Sequence, residues 1–157
     1  FDSMNVFDNV AFPLRESGER NPKIIRDKVA ESLGMVNMTG HELKMPVNLS
    51  GGMRKRVALA RAIISPPDVI LYDEPTAGLD PIVSDSINKL IRHLQRELHV
   101  TSIVVTHDMV SCYHIADRVA LLNEGRIYFL GNQQELRDST DPIIRDFVDG
   151  RSGETIY

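Results

Sequence analysis

A single cysteine, the lack of any long apolar run and the lack of a basic excess each exclude a class of protein. Cys112 has no second cysteine to pair with, so a disulfide-stabilised fold is excluded and a reducing compartment is expected. No apolar run approaches the ~20 residues that a membrane-spanning helix needs, so we expect any membrane role to come through a partner. Acidic residues outnumber basic ones, 22 to 18, which argues against a nucleic-acid-binding surface.

What the sequence does contain is a series of well-marked helices. An apolar segment at 6–12 is expected to stop at Pro13, because proline breaks helical hydrogen bonding. Pro22 suits the first turn of the next helix. Ser50 and Asp80 are expected to cap two further helices, the second of which keeps a 3.6-residue apolar period over its whole length.

Short apolar strands alternate with these helices in the second half of the chain. Residues 69–72 and 102–106 are predicted as buried strands, separated by the long helix that Asp80 caps. The segments 119–122 and 126–130 flank Asn-Glu-Gly, which is a hairpin signal. Closing helices are expected at 133–137 and 142–148. Strand–helix–strand alternation predicts parallel pairing and an α/β fold, preceded by a helical portion over residues 1–65.

Residues 49–53 read Leu-Ser-Gly-Gly-Met and form the first candidate site. The N-terminus of a helix that begins at Ser50 presents free N–H groups and partial positive charge, and Gly51 and Gly52 would let a phosphate approach without a Cβ in the way. The alternative is an ordinary capped helix after a loop, with the basic run 54–56 as a solvated face.

Two adjacent carboxylates, Asp73 and Glu74, end the first strand and form the second candidate site. A divalent metal bound to phosphate would account for Asp73, and a general base that activates water would account for Glu74. The alternative is a strand end with solvated acids before a turn at Pro75.

Asp80 and His107 are two further candidates. Asp80 lies at the start of a helix and His107 directly after a strand, and ligands of α/β proteins bind at such positions. Asp80 is well explained as the cap of its helix, which does not exclude a second role for the loop 76–80. His107 directly follows the strand that ends at Thr106, at the carboxyl edge of the predicted sheet. A lone histidine is usually structural, but this placement favours a functional role.

In this order and spacing, the segments resemble the ATP-binding cassette ATPases. Residues 49–53 resemble the signature motif, with Met53 where glutamine is usual, and 69–73 resemble the Walker B strand. Residues 77–80 resemble the D-loop. The resemblance implies ATP and Mg²⁺ as ligands, and its roles fall on the following residues: catalytic Glu74 and His107; nucleotide-contacting Ser50, Gly51, Gly52 and Asp80; and metal-associated Asp73.

A narrower resemblance involves both ends of the chain. Residues 1–16, the methionine variant of the signature and the tail 141–150 are similar to the ATPases of bacterial lipid-asymmetry and toluene-tolerance transporters. This resemblance implies an ATPase on the cytoplasmic, inner face of the inner membrane that drives phospholipid or another hydrophobic solute through permease subunits. It also implies a head-to-tail homodimer and no nucleic-acid partner.

The phosphate-binding loop of these ATPases, Gly-x-x-x-x-Gly-Lys-[Ser/Thr], occurs nowhere in the 157 residues. The chain does not begin with Met, and we expect that a preceding segment was cut away with that loop and the Q-loop.

The implied fold is a P-loop NTPase-like parallel sheet flanked by helices, here incomplete. Its implied parts are a helical subdomain (1–65) ending in the signature helix, an α/β core (66–140) and a C-terminal helix and tail (141–157).

The same resemblance places an absent strand between 102–106 and 119–122. We therefore expect these two strands to pair directly, to receive a strand from a second chain, or to leave a gap.

Two alternatives in function also remain open: a non-transport ATPase of DNA repair or chromosome maintenance, and a non-catalytic interaction module. Residues 1–48 show no heptads of the long coiled coil that the former carries.

Overall fold

The computed structural model describes residues 1–151 and divides the chain after Val105 into two units. The first unit contains α1 (Val6–Glu16), α2 (Pro22–Met35), a 3₁₀ turn (Pro46–Asn48), α3 (Gly51–Ile63), β1 (Val69–Asp73), α4 (Pro81–Leu98) and β2 (Thr101–Val105). The second unit contains α5 (Met109–Ile115), β3 (Val119–Asn123), β4 (Arg126–Gly131), α6 (Gln133–Asp138) and α7 (Pro142–Asp149).

The predicted caps set the helix starts in the first unit. The Ser50 hydroxyl accepts the Met53 N–H at 3.2 Å and begins α3. The Asp80 carboxylate accepts two N–H groups of the first turn of α4, each at 3.0 Å. At its other end α4 stops at His99, which adopts the left-handed conformation (φ 53°) that commonly ends helices.

One apolar core joins the helices of the first unit. Its members are buried residues of α1, α2, α3 and α4, together with the inner face of β1, and include Val10, Leu33, Ala60, Ile70 and Leu94. Helices α1 and α2 both pack against α3. The core therefore fixes the start of α3 relative to β1 and α4, which is where the candidate site residues lie.

Helix α1 corrects the expectation that the first apolar segment stops at Pro13. The helix runs through Pro13 to Glu16. Proline removes one helical hydrogen bond but leaves its own carbonyl free to accept, and the Ser17 N–H bonds to it at 3.0 Å. Val10 and Leu14 are buried on either side, so their packing outweighs the lost bond.

The strands β1 and β2 pair in parallel, as predicted, from Val69 opposite Thr101 to Asp73 opposite Val105. The prediction that both are buried strands is wrong for one face. Tyr72 of β1 is buried, whereas Leu71 is 74% exposed and Ile103 of β2 is 53% exposed. Among the described residues of this unit, the core covers only one side of the strand pair.

The second unit is built on the predicted hairpin. Strands β3 and β4 pair antiparallel with a register shift between Leu121 and Leu122. Leu121 packs in a small core with Leu136 of α6 and Ile144 of α7. In the described part of the chain β2 and β3 belong to different two-stranded sheets, so the two strands do not pair directly.

The predicted domain boundaries at 65 and 140 stay a prediction. The tail beyond residue 151 lies outside the described residues.

Candidate functional site

The backbone turns sharply where β1 ends. Glu74 has φ 45°, in the left-handed region, which costs a residue with a side chain roughly 1–2 kcal/mol. Its N–H donates to the Val105 carbonyl at 2.9 Å and so extends the parallel ladder by one residue. Asp73 is exposed on the open face of the sheet, whereas Glu74 is half-buried. The two adjacent carboxylates therefore occupy different environments.

The loop from Glu74 to Asp80 is held by its own hydrogen bonds. The Ala77 N–H reaches the Glu74 carbonyl at 3.3 Å, and the Leu79 N–H reaches the Thr76 carbonyl at 3.2 Å. Thr76 is 5% exposed and anchors the middle of the loop. Because Asp80 caps α4 directly afterwards, the strand end and the helix start form one continuous, well-supported segment.

The start of α3 lies against this segment. A Cβ built on Gly52 would lie 2.5 Å from Val83 Cγ1, and one on Gly51 would lie 3.0 Å from Leu79 Cδ2. Real Cβ atoms do not approach to 2.5 Å, so a side chain at position 52 would force either Val83 or the packing of α3 against α4 to shift. Sequence reasoning gave these glycines only a phosphate-binding role and missed this packing role. Ser50 remains exposed at the helix start.

The basic run on α3 is only in part the solvated face considered as an alternative, because Arg54 is exposed whereas Lys55 and Arg56 are half-buried. Arg54 donates to the Leu49 carbonyl at 2.7 Å. Arg56 donates to the Val36 carbonyl and to the Ser86 hydroxyl, both at 2.7 Å, and so ties α3 to the end of α2 and to α4.

Lys55 is the functional candidate that sequence reasoning missed. Its ammonium donates to the Glu74 carbonyl at 2.8 Å and so joins α3 to the end of β1. The one signal in the sequence is electrostatic: three cations near the positive end of a helix dipole are unfavourable unless other groups hold them.

His107 belongs to the second unit and is exposed there. The residues around it are ordered by local bonds. The Asp108 N–H donates to the Thr106 hydroxyl at 3.0 Å, and the Asp108 carboxylate accepts the Val110 N–H and the Ser111 hydroxyl at 3.0 and 2.6 Å. These bonds connect the residues on either side of His107 to each other and to the start of α5.

Asp73 supplies one exposed carboxylate, a group that could serve as a ligand of a phosphate-bound magnesium ion. Mg²⁺ usually takes one or two carboxylates and fills its other positions with water and substrate phosphate oxygens. Within residues 1–151 no group of three or more His, Cys, Asp or Glu side chains could hold a metal by itself. On the opposite face of the same strand, burial raises the pKa of the Tyr72 hydroxyl.

The arrangement of these residues suits the binding of a phosphate group. Carboxylates at the end of a parallel strand lie where α/β proteins bind ligands, and the exposed start of α3 can accept an anion. The parallel strand pair and the helices around it indicate an α/β core of the P-loop NTPase class.

Comparisons with known proteins identify the family within that class. The family model described as ABC transporter matches residues 1–77. The chain is 44% identical over 150 residues to the intermembrane phospholipid transport system ATP-binding protein MlaF of Escherichia coli K12, covering 96% of this chain and 56% of that protein. It is 40% identical over 151 residues to the probable ribonucleotide transport ATP-binding protein mkl of Mycobacterium tuberculosis H37Rv, covering 96% and 42%.

Solved structures of ABC transporter cassettes are also similar to this chain. The dimeric bacterial ABC transporter cassette MJ0796 superposes with a TM-score of 0.73 at 30% identity, over 84% of this chain and 58% of that one. The cassette cbiO1 of Clostridium perfringens superposes with a TM-score of 0.77 at 34% identity, over 85% and 53%. The chain is therefore homologous, over nearly its whole length, to ATP-binding proteins of ABC transporters, which confirms the resemblance and the fold class. It spans about half the length of the curated relatives that it matches.

Proposed function

We propose that the protein carrying this chain is the ATPase subunit of a membrane transporter. It binds ATP with Mg²⁺ and uses hydrolysis to move a phospholipid, or another hydrophobic solute, through permease subunits. Support for the solute class comes from the E. coli relative, whose name describes intermembrane phospholipid transport. Support for nucleotide chemistry comes from the solved MJ0796 cassette in its post-hydrolysis state with ADP and phosphate.

In this proposal each site residue has one role. Glu74 accepts a proton from the water that attacks the γ-phosphorus, while the bond from that phosphorus to the β–γ bridging oxygen breaks and ADP leaves. Asp73 would hold Mg²⁺ directly or through water, and the bound ion would supply positive charge to neutralise the phosphates. His107 contacts the γ-phosphate.

The remaining residues act across a dimer. Ser50 and the N–H groups at the start of α3 close over the nucleotide held by a second copy, with Gly51 and Gly52 allowing close approach. Asp80 orders the loop that meets that copy. The solved MJ0796 cassette is dimeric, which supports pairing of two copies, and the head-to-tail orientation is part of the proposal.

The proposed location is the cytoplasmic side of the inner membrane, where the subunit would bind permease partners peripherally. Within residues 1–151 no helix has both the length and the apolar character to cross a membrane. No nucleic-acid partner is proposed, since acidic residues exceed basic ones.

One observation carries the proposal: the backbone of Glu74 is held in an unusual conformation at the carboxyl end of β1, beside the start of α3. A carboxylate that only faced solvent would need no such support. Strained backbone supported on several sides is typical of functional positions.

The test is Glu74→Gln in the full-length protein. Glutamine keeps the shape of the side chain but cannot accept the proton, so hydrolysis should fall by ~10²–10⁴-fold while ATP binding is retained. Steady-state phosphate release and equilibrium nucleotide binding measure the two quantities. Glu31→Gln, at an exposed position of α2, is the control and should leave both unchanged. Retention of more than about a third of the wild-type rate in Glu74→Gln would contradict the assignment of the base.

A further inference from the structure

Lys55 makes a contact that an ordinary surface lysine does not make. Its side chain is half-buried on the second turn of α3, and its Nζ donates to the backbone carbonyl of Glu74, 19 residues further along the chain, at 2.8 Å. Lysine usually keeps its ammonium in water and loses considerable rotamer freedom when that group is fixed. A single defined acceptor at this distance therefore indicates a specific interaction.

The acceptor belongs to a peptide that is restrained on both sides. The Glu74 N–H is bound by the Val105 carbonyl at 2.9 Å, and the Glu74 carbonyl also accepts the Ala77 N–H at 3.3 Å. A carbonyl oxygen has two lone pairs, so Ala77 and Lys55 can both donate to it. Together these bonds hold the left-handed backbone of Glu74, whose φ is 45°. Fixing that backbone fixes the direction in which the carboxylate leaves the chain.

Neighbouring cations on the same helix do not share this position. Arg54 and Arg56 bind the carbonyls of Leu49 and Val36, both in the helical part of the first unit. Lys55 alone among the three reaches the end of β1, as far as the described residues show.

We propose that Lys55 is a positioning residue for the general base. By holding the Glu74 carbonyl it keeps the carboxylate aimed at the attacking water. The same bond links the Glu74 backbone to α3, so an anion that binds at the start of α3 contacts a helix that is hydrogen-bonded to the Glu74 carbonyl. This inference rests on the proposed role of Glu74.

The test compares three substitutions in the full-length protein. Lys55→Met keeps most of the stem but removes the donor, whereas Lys55→Arg keeps a cationic donor of similar length. A misplacement of about 1 Å at a reacting group costs ~10²-fold, so Lys55→Met should lower kcat by ~10–100-fold and leave ATP affinity within about threefold. Lys55→Arg should restore kcat to within about threefold of wild type. Lys89→Met, which removes an exposed ammonium 2.6 Å from Asp85 on α4, is the control and should leave kcat unchanged.

The double variant Lys55→Met/Glu74→Gln distinguishes failure of this inference from failure of the proposed function. If Lys55 acts through Glu74, adding Lys55→Met to Glu74→Gln causes no further loss of the residual rate. An equal loss in both backgrounds, a kcat within twofold of wild type for Lys55→Met, or no recovery in a folded Lys55→Arg protein would overturn the inference. Lys55→Leu, which also lacks a donor, is assessed by the same criteria if Lys55→Met does not fold. An active Glu74→Gln protein would instead overturn the proposed function itself.

Discussion

Gly52 shows how one residue can serve packing and ligand binding together. Its backbone lies against Val83, so Gly52→Ala would place a methyl group 2.5 Å from Val83 Cγ1. We expect this overpacking to lower the free energy of unfolding by about 1–3 kcal/mol, which thermal or denaturant unfolding of the full-length protein would measure. A glycine needed only for phosphate approach would show no such loss.

Two companion variants make the packing explanation specific. Val83→Ala removes the atom in conflict, so it should recover most of the stability lost in Gly52→Ala, as a double-mutant cycle would show. Gly51→Ala meets the flexible end of Leu79 at 3.0 Å and should cost less. Equal losses at both glycines, or no recovery with Val83→Ala, would contradict the packing explanation.

At this scale the sequence predicts local interactions and misses distant ones. Ser50 and Asp80 are recognisable as caps because their partners lie two or three residues away. The partners of Lys55 and Arg56 lie 19 and 30 residues away, at positions that only the packed core brings close. No periodicity or spacing in a single sequence carries that information.

At the scale of elements, apolar periodicity predicts the helices and the hairpin, and it fails where context decides. The apolar stretch in β1 predicts burial on both faces, which holds only when layers cover both sides of a parallel sheet. Pro13 predicts a helix end, yet burial of Val10 and Leu14 continues α1 past it.

The start of α7 provides an element-scale prediction in which pH is the variable. The Tyr128 hydroxyl donates to Asp141 at 2.8 Å, and this bond lowers the pKa of Asp141, which also caps α7. A carboxyl group with a lowered folded-state pKa stabilises the fold above its unfolded pKa of ~3.9, and that contribution is lost as pH falls through the folded value. Asparagine caps a helix about as well as aspartate. Asp141→Asn should therefore lower the melting temperature near pH 7.

The pH series supplies the decisive comparison. The difference in melting temperature between wild type and Asp141→Asn should shrink as pH falls below ~4, because the wild-type carboxyl is then protonated as well. Asp27→Asn, at an exposed position of α2, is the control and should show little difference at any pH. A gap for Asp141→Asn that stays constant from pH 7 to pH 3 would mean that the charge of Asp141 is not what stabilises α7.

For the whole molecule, the 157-residue chain is predicted to have negligible ATPase activity by itself. The sequence contains no Gly-x-x-x-x-Gly-Lys-[Ser/Thr] loop to hold the β- and γ-phosphates. Leu71 and Ile103 also expose apolar surface on the open face of the strand pair, which favours self-association. Steady-state phosphate release from the purified chain with Mg-ATP is the measurement. Turnover at the ~1–10³ per second typical of enzymes would contradict the prediction.

The proposed head-to-tail dimer makes a prediction about the assembly, because each nucleotide would need Glu74 from one protomer and Ser50 from the other. In one mixed dimer, Ser50→Arg lies in one protomer and Glu74→Gln in its partner. That dimer retains one complete site and should hydrolyse ATP at about half the wild-type rate. In a second mixed dimer, both substitutions lie in the same protomer beside a wild-type partner. That dimer has no complete site and should be inactive, with losses of ~10²–10⁴-fold.

Purified, linked mixed dimers assayed for phosphate release therefore test the shared site most directly. Activity only when Ser50→Arg and Glu74→Gln lie in different protomers is the predicted result. Activity only when they lie in the same protomer would show that each chain completes its own site, and would contradict the head-to-tail arrangement.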